Sequence, residues 1–216
     1  MKHIGWMLVI SILFGAIAAV IPAQGPTAWD RQAAELLGAD RQGEPSGLLL
    51  ALNMLGSTAG FTGVALLSAA AAWWVHSGRA ALTVLGTLVS ALALNTGLKA
   101  VVGRPRPDHA GWVEATGYSF PSGNAMMGMA LYGILVFVIW KYARSGALRI
   151  TAAAAGAAMI LLLGYCRLYF GVHYLTDIAA GYLGGLFCIT GAAWVLNAVE
   201  SRRAQRRSSS FPPRAM

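Results

Sequence analysis

Long apolar runs separated by short polar segments follow one another along most of the chain. Six such runs lie at residues 4–22, 59–76, 80–102, 123–142, 148–167 and 174–198. Most of them approach the length of about 20 residues that an α-helix needs to cross about 30 Å of hydrocarbon. We therefore predict an all-α fold, an integral membrane bundle of six transmembrane helices.

The composition supports a membrane environment. Hydrophobic residues make up 57% of the chain and charged residues only 11%, whereas an average soluble domain has about 25% charged residues. Because so few polar residues cannot form a hydrated shell, lipid must cover much of the surface. The expected location is the cell membrane, with membrane lipid as a partner.

The polar segments divide the chain into four predicted parts. Residues 1–22 form the first span, 23–58 an outer loop with an interfacial helix, 59–198 a core with five spans, and 199–216 a basic cytoplasmic tail that we expect to be disordered. The apolar stretch 47–57 is interrupted by glycines and is either a short interfacial helix or an extension of the second span. Residues 1–25 resemble a signal peptide, but Ile21 and Pro22 disturb the cleavage pattern, which favours a retained span.

The basic residues indicate how the helices are oriented. With the N-terminus inside, ten of the sixteen Lys and Arg residues lie in inner segments: Lys2, Arg79, Lys141, Arg144, Arg149, Arg202, Arg203, Arg206, Arg207 and Arg214. The positive-inside rule favours this orientation, and the same clusters account for the net charge of +8 without a nucleic-acid partner. Four of the outer basic residues lie at or beside the ends of spans three and five: Lys99, Arg104, Arg106 and Arg167. A charge there is costly unless it has a partner or a function.

Three polar clusters fall on the outer face in this topology. They are residues 99–107 after span three, residues 120–124 at the start of span four, and residues 167–177 between spans five and six. Lys99 and Arg106 are two turns apart if the helix continues that far, so both can face one anion. A helix that starts at the Pro-Ser-Gly stretch offers unpaired N–H groups to the same anion. The clusters together predict a phosphate-binding site.

His173 and Asp177 have the i, i+4 spacing that places two side chains on one helix face. An aspartate that accepts from one ring nitrogen leaves the other nitrogen free to attack phosphorus. This pair predicts a phosphohistidine intermediate that water hydrolyses. The sequence shows no acidic cluster suited to magnesium, so we expect neither a metal nor a cofactor, with cationic side chains neutralising the transition state.

These residues resemble the type 2 phosphatidic acid phosphatase family, whose signature is K-x6-R-P, then P-S-G-H, then S-R-x5-H-x3-D. The resemblance covers roughly residues 50–198 and implies a bundle of six helices with a phosphatase core. It implies that Lys99, Arg106 and Arg167 bind phosphate, that Ser122 and Gly123 help to hold it, that His173 is the nucleophile, and that Asp177 orients it. Bacterial members of the family dephosphorylate phosphatidylglycerol phosphate, phosphatidate, undecaprenyl pyrophosphate or lipid A without a metal.

The chain departs from the family pattern at two positions. Cys166 replaces the serine of the third motif, a small residue for a small residue. Asn124 replaces the histidine that the family uses as general acid, and losing a general acid typically costs about 10²–10⁴ in rate. An alkoxide leaving group has a conjugate acid of pKa about 16, but a phosphate has a second pKa of about 6 and scarcely needs protonation. We therefore favour a pyrophosphate substrate such as undecaprenyl pyrophosphate, with His109 as a candidate substitute acid.

Three other functions fit parts of the pattern. A phosphotransferase would pass the phosphoryl group from His173 to another lipid instead of water. A catalytically silent lipid-binding or lipid-translocating protein would keep the anion site without the chemistry. A soluble vanadate haloperoxidase shares the same constellation, but the six apolar runs argue against it. The pattern does not fix the head group or the oligomeric state.

Overall fold

The structure is a computed structural model that describes residues 2–22, 25–38, 44–107 and 112–209. This part of the chain is entirely helical apart from its turns and loops. Its helices are α1 (Lys2–Val20), α2 (Ala28–Gly38), α3 (Gly47–Leu55), α4 (Thr58–Val75), α5 (Gly78–Val102), α6 (Gly123–Tyr142), α7 (Gly146–Tyr169) and α8 (Leu175–Ser209). The prediction of an all-α fold is confirmed.

Six of these helices, α1 and α4 to α8, are long and apolar enough to cross a membrane. They coincide with the six predicted spans to within a few residues at nearly every boundary. The prediction of a multi-pass membrane bundle is therefore confirmed. Only the end of the last predicted span differs by more than a few residues, because α8 continues as far as Ser209. The tail that we expected to be disordered from residue 199 is thus helical over its first eleven residues, 199–209, and residues 210–216 lie outside the described part.

Serine residues start most of the helices. Ser46, Ser57, Ser77 and Ser145 precede α3, α4, α5 and α7, and each hydroxyl accepts a hydrogen bond from the N–H three residues later. Such caps satisfy one of the free donors of a helix N-terminus. The cap at Ser57 separates α3 from α4, so the apolar stretch 47–57 forms a helix of its own rather than an extension of the second span.

The centre of the bundle is α6, which packs against α5, α7 and α8. Glycines on α8 allow a close approach to α6. A Cβ atom at Gly181 would lie 2.7 Å from the carbonyl oxygen of Ser122, and one at Gly185 would lie 2.6 Å from that of Met126. Small residues at such crossings let helix backbones meet. The close approach places the N-terminus of α6 beside the N-terminus of α8, where two of the predicted clusters lie.

Helix α2 lies across the same end of the bundle and packs on α7 and α8. Thr27 and Asp30 form a reciprocal cap at its start, in which the Thr27 N–H donates to Asp30 Oδ2 at 2.9 Å and the Asp30 N–H donates to Thr27 Oγ1 at 3.1 Å. This arrangement is the capping box of a helix N-terminus. It fixes Asp30, whose side chain points into the protein.

Candidate active site

His173 and Asp177 lie together at the start of α8, as their spacing predicts. His173 is in the turn just before the helix, and its Nδ1 lies 3.4 Å from Asp177 Oδ2. The same carboxylate oxygen accepts the Tyr174 N–H at 2.9 Å. Both side chains are buried, His173 at 6% exposure and Asp177 at 0%. An aspartate in this position holds the proton on Nδ1 and leaves the lone pair of Nε2 available.

The other ring nitrogen of His173 faces a fixed cation. Arg106 Nη1 lies 3.1 Å from His173 Nε2. Three backbone carbonyls hold the guanidinium: Val172 at 2.8 Å, Thr116 at 2.9 Å and Gly117 at 3.0 Å. Because these bonds come from two different loops, the guanidinium needs little rearrangement to receive an anion.

The electrostatic surroundings keep His173 neutral. Burial lowers the pKa of His173 from 6.5 to about 4; the hydrogen bond to Asp177 opposes this shift, and the charge of Arg106 adds to it. A buried imidazole surrounded by cations resists protonation because the charged form loses its hydration. The ring is therefore in its nucleophilic form at neutral pH.

The other predicted cations, Lys99 and Arg167, bond to neighbouring elements, and the helix that would place Lys99 and Arg106 two turns apart does not continue that far. Helix α5 ends at Val102, and Gly103 takes a left-handed conformation with φ of 65°. Lys99 and Arg106 are therefore not two turns apart on one helix; the loop returns Arg106 to the histidine. Lys99 Nζ donates to the Tyr118 carbonyl at 2.9 Å. Arg167, in the last turn of α7, donates through Nη2 to Asn53 Oδ1 on α3.

The turn before α6 is held from two sides. The Ser122 N–H donates to the Asp177 carbonyl at 3.0 Å, and Asn95 Nδ2 on α5 donates to the Pro121 carbonyl at 3.1 Å. Gly123 lies close to the same amide, because a Cβ atom there would be 3.3 Å from Asn95 Oδ1. Asn95 was missed by the sequence analysis, although a polar residue inside an apolar span is itself a signal.

Three buried donors at this end of the bundle have no hydrogen-bond partner among the described residues. One is Ser122 Oγ, which is fully buried and does not cap α6. The others are Arg167 Nε and Arg104 Nε. Buried polar atoms are normally paired, so Ser122 Oγ and Arg167 Nε can donate to a phosphate oxygen. The resemblance assigned both residues to phosphate binding.

The side chain of Asn124 contacts the turn between α3 and α4. Its amide packs against Gly56 at the turn between α3 and α4, where even a methyl group on Gly56 would collide with it. No hydrogen bond connects Asn124 to His173 or to the cations in the part of the chain that the structure describes. The candidate substitute acid His109 lies outside the described residues.

Arg104 is one of the basic residues beside the end of span three, and no role for it was predicted from the sequence. Its Nη1 donates to Asp177 Oδ1 at 2.7 Å and its Nη2 to Asp30 Oδ2 at 2.9 Å. The guanidinium also donates to Thr176 Oγ1 at 2.8 Å and to the Gly25 carbonyl at 3.0 Å. Arg104 is 1% exposed, and both carboxylates are fully buried. Arg104 therefore links α2 to the carboxylate that orients His173.

Asp30 completes this network from α2 and was also missed. It accepts the Thr176 N–H and the Arg104 Nη2 donor, each at 2.9 Å. Burial by itself would raise the pKa of Asp30, but the N–H groups of Thr176 and Thr27 and the Arg104 guanidinium outweigh it and lower the pKa. The capping motif of α2 is the only sequence signal for this residue, and it does not reveal the distant partner.

The predicted phosphate-binding groups are cationic nitrogens and a hydroxyl rather than metal ligands. Within the described ranges, no group of three or more His, Cys, Asp or Glu residues lies together as a metal site requires. Independence from metals stays a prediction. Chemically, the arrangement can bind a phosphate by its oxygens and present a neutral imidazole nitrogen to the phosphorus.

Comparison with solved structures supports the fold. A transmembrane PAP2 type phosphatidylglycerolphosphate phosphatase from Bacillus subtilis aligns with a TM-score of 0.75 over 91% of this chain and 96% of that chain, at 21% identity. LpxE from Aquifex aeolicus aligns with a TM-score of 0.54 over 74% of this chain and 93% of that chain, also at 21% identity. At these identities the likeness concerns the fold alone.

Sequence comparisons identify the family. Phosphatidylglycerophosphatase B of Bacillus subtilis is 35% identical over 43% of this chain and 46% of its own length. Lipid A 4'-phosphatase of Rhizobium leguminosarum is 36% identical over 57% of each protein. The chain thus spans about half the length of these curated relatives. The family model described as PAP2 superfamily matches residues 80–200, more than half of the chain, and the protein therefore belongs to the PAP2 superfamily.

Proposed function

We propose that the protein is a membrane lipid phosphatase that hydrolyses a lipid phosphate or pyrophosphate through a phosphohistidine on His173. The observation that carries this proposal is the position of the imidazole between Asp177 on its Nδ1 side and the Arg106 guanidinium 3.1 Å from Nε2. A nucleophile with an orienting base partner and an adjacent cation is the arrangement that covalent phosphoryl transfer requires. The names of the two curated relatives also point to lipid phosphates.

In the first step, the Nε2 lone pair forms a bond to phosphorus while the bond from phosphorus to the leaving oxygen breaks. Asp177 stabilises the positive charge that develops on the ring. The phosphoryl oxygens take the place of His173 Nε2 as partner of Arg106 and receive further donors from Ser122 Oγ and Arg167 Nε. In the second step, water attacks phosphorus, the bond between nitrogen and phosphorus breaks, and inorganic phosphate leaves.

The leaving oxygen must take up a proton unless it is a weak base. The position that the family fills with histidine is Asn124 here, and its amide packs against Gly56. Without a general acid at this position, a leaving group of low basicity reacts faster. We therefore propose a lipid pyrophosphate such as undecaprenyl pyrophosphate as the preferred substrate, at an active site on the outer face of the membrane.

The test is phosphate release by the purified protein in detergent. We expect turnover of undecaprenyl pyrophosphate to exceed that of phosphatidylglycerol phosphate and phosphatidate. His173→Gln should remove activity on all three, whereas His76→Gln should not, because His76 is exposed at the opposite end of the bundle. A chelator should leave the rates unchanged.

Retained activity in His173→Gln would refute the covalent mechanism. A labelled phosphoryl group trapped on wild-type protein by acid-free quenching, and absent from the His173→Gln variant, would support it directly. Faster turnover of the phosphate monoesters than of the pyrophosphate would overturn the substrate preference while leaving the phosphatase assignment intact.

A further inference from the structure

A groove between α5 and α8 opens at the end of the bundle that lies opposite His173. Its volume is about 580 Å³, which is within the range of about 300–1,000 Å³ typical of ligand sites. Its walls include Leu82, Gly86 and Leu94 on α5, and Phe187 and Val195 on α8. None of the residues discussed for phosphate chemistry lines it, so this groove has no role in the proposed reaction.

Two of the three hydroxyl side chains along the groove, those of Thr83 and Thr87, bond to their own helix. Thr83 and Thr87 donate their hydroxyl protons to the carbonyls of Arg79 and Thr83, at 2.8 and 2.7 Å. Hydroxyls that bond back to their own helix leave their methyl groups to line the wall. The groove therefore fits a hydrocarbon chain along its length.

One end of the groove carries a net positive charge, because Arg79 and Lys141 share the single carboxylate of Glu200. Arg79 lies in the first turn of α5 and lines the groove. Its Nε is buried without a hydrogen-bond partner, and no ion pair of Arg79 occurs among the described residues. The nearby carboxylate of Glu200 is already paired with Lys141 at 2.9 Å. The N-terminus of a helix also favours an anion over a cation, so the geometry calls for a negatively charged group beside Arg79.

We propose that this groove binds an anionic phospholipid, with an acyl chain between α5 and α8 and the headgroup phosphate on Arg79. The site is separate from the candidate active site, because Arg79 and Lys99 are twenty residues apart on one helix and each residue advances it by about 1.5 Å. That distance of about 30 Å matches the thickness of the hydrocarbon core. The lipid therefore belongs to the membrane leaflet opposite the one that holds the substrate phosphate.

Two glycines provide a matched test of the groove. Gly86 lines it, and a Cβ atom built there meets no heavy atom within 4 Å. Gly63 on α4 also has nothing within 4 Å of such an atom and does not line the groove. Gly86→Leu should fill the groove without disturbing the protein's own packing. Gly63→Leu makes the same change of residue on another spanning helix but leaves the groove open, so it is the control.

The experiment measures the melting temperature of the purified protein in detergent while phosphatidylglycerol or phosphatidylcholine is added. At a lipid concentration 100 times the dissociation constant, we expect phosphatidylglycerol to raise the wild-type melting temperature by roughly 5–10 °C, and phosphatidylcholine to raise it less. Arg79→Gln should lose the preference for phosphatidylglycerol, whereas Arg202→Gln, an exposed arginine on α8, should keep it. Gly86→Leu should lose the stabilisation that Gly63→Leu retains.

Equal stabilisation of wild type and Arg79→Gln by phosphatidylglycerol would overturn the proposal and leave only nonspecific annular lipid. Identical behaviour of Gly86→Leu and Gly63→Leu would also overturn it. A change in particle mass in Gly86→Leu alone would show instead that the groove is an interface between copies of the chain. Phosphate release in detergent should be similar in all four variants, so that a failure here does not bear on the proposed function.

Discussion

Replacing Asp30 with asparagine tests whether α2 belongs to the machinery of the candidate site. The carboxylate of Asp30 accepts hydrogen bonds from four groups: the N–H of Thr27, the N–H and hydroxyl of Thr176, and Arg104 Nη2. Asparagine has the same shape but only one acceptor oxygen. Its NH₂ group must point either at Thr176 or at Arg104 and Thr27. In both orientations an N–H donor of the asparagine faces another donor, and that hydrogen bond is lost.

The structure sets the magnitude of the effect. The Asp30 side chain is fully buried and Arg104 is 1% exposed, so water cannot replace the lost partner. Removing one member of a buried ion pair typically costs about 3–5 kcal/mol. For a chain of this size, 1 kcal/mol shifts the melting temperature by about 2–4 °C. We therefore expect Asp30→Asn to melt roughly 6–20 °C lower than the wild type.

The assay combines melting in detergent with phosphate release at a temperature where the variant remains folded. Arg104 would then have Asp177 as its only carboxylate partner. The electrostatic environment of Asp177, the carboxylate beside His173, would change as a result. We expect kcat to fall while KM changes little, because Asp30 bonds to Arg104 and Thr176 rather than to the predicted phosphate-binding residues. Glu35→Gln is the matched control, since Glu35 is an exposed acid on the same helix, and it should match the wild type in both measurements.

An Asp30→Asn protein that melts within a degree or two of the wild type would refute the reasoning, because the ion pair with Arg104 would then contribute nothing to stability. A lower melting temperature with unchanged kcat would limit Asp30 to a structural role. A rise in KM at constant kcat would mean that α2 acts on substrate binding instead.

Three further predictions concern the histidine, the asparagine and the topology. Because burial lowers the pKa of His173 to about 4 and only the neutral ring attacks, the enzyme's own contribution to kcat/KM should stay level as the pH falls past 6.5 and should drop near 4. The substrate phosphate titrates near pH 6, so its titration is divided out of the profile, and an acid limb that remains near 6.5 would contradict the buried environment. Asn124→His should raise turnover of phosphatidate by about 10²–10⁴ and turnover of undecaprenyl pyrophosphate only slightly. Equal gains on both substrates would remove the basis for the pyrophosphate preference. Trp112→Cys replaces a side chain that is 45% exposed, and the new thiol should react with an impermeant thiol reagent on intact cells. The native Cys166 and Cys188 are buried and should stay so. Labelling only after lysis would invert the topology.

Much of the fold could be predicted from the sequence because it depends on local properties. An apolar run of about 20 residues has few alternatives to a membrane-spanning helix, and the six runs became α1 and α4 to α8 with boundaries close to those predicted. The serines before α3, α4, α5 and α7 mark helix starts by the same local chemistry. The end of α8 was misjudged, because a basic, hydrophilic segment can prolong a helix that is already anchored.

The candidate site was predictable to the extent that its partners lie close in the chain. His173 and Asp177 are four residues apart, and the turn that leads into α8 keeps the two side chains together as the i, i+4 spacing predicts. The course of the chain beyond Lys99 was not predictable in the same way. The left-handed turn at Gly103 ends α5 and returns Arg106 to the histidine, and whether a helix ends at a glycine depends on packing around it.

The sequence by itself determined that the protein is a helical membrane bundle, and it predicted a phosphate-binding constellation, because hydrophobic length and the spacing of chemical groups are properties of the chain. Only the tertiary structure decided which charges meet. Asp30 and Arg104 are 74 residues apart, and their ion pair exists because the packing of α2 on α8 excludes water from both. Likewise, the net positive charge around Arg79 follows from the packing of α8 on α6, which places Glu200 beside Lys141. Such long-range pairings depend on the balance between desolvation and Coulomb attraction at a buried position, and no local pattern in the sequence encodes that balance.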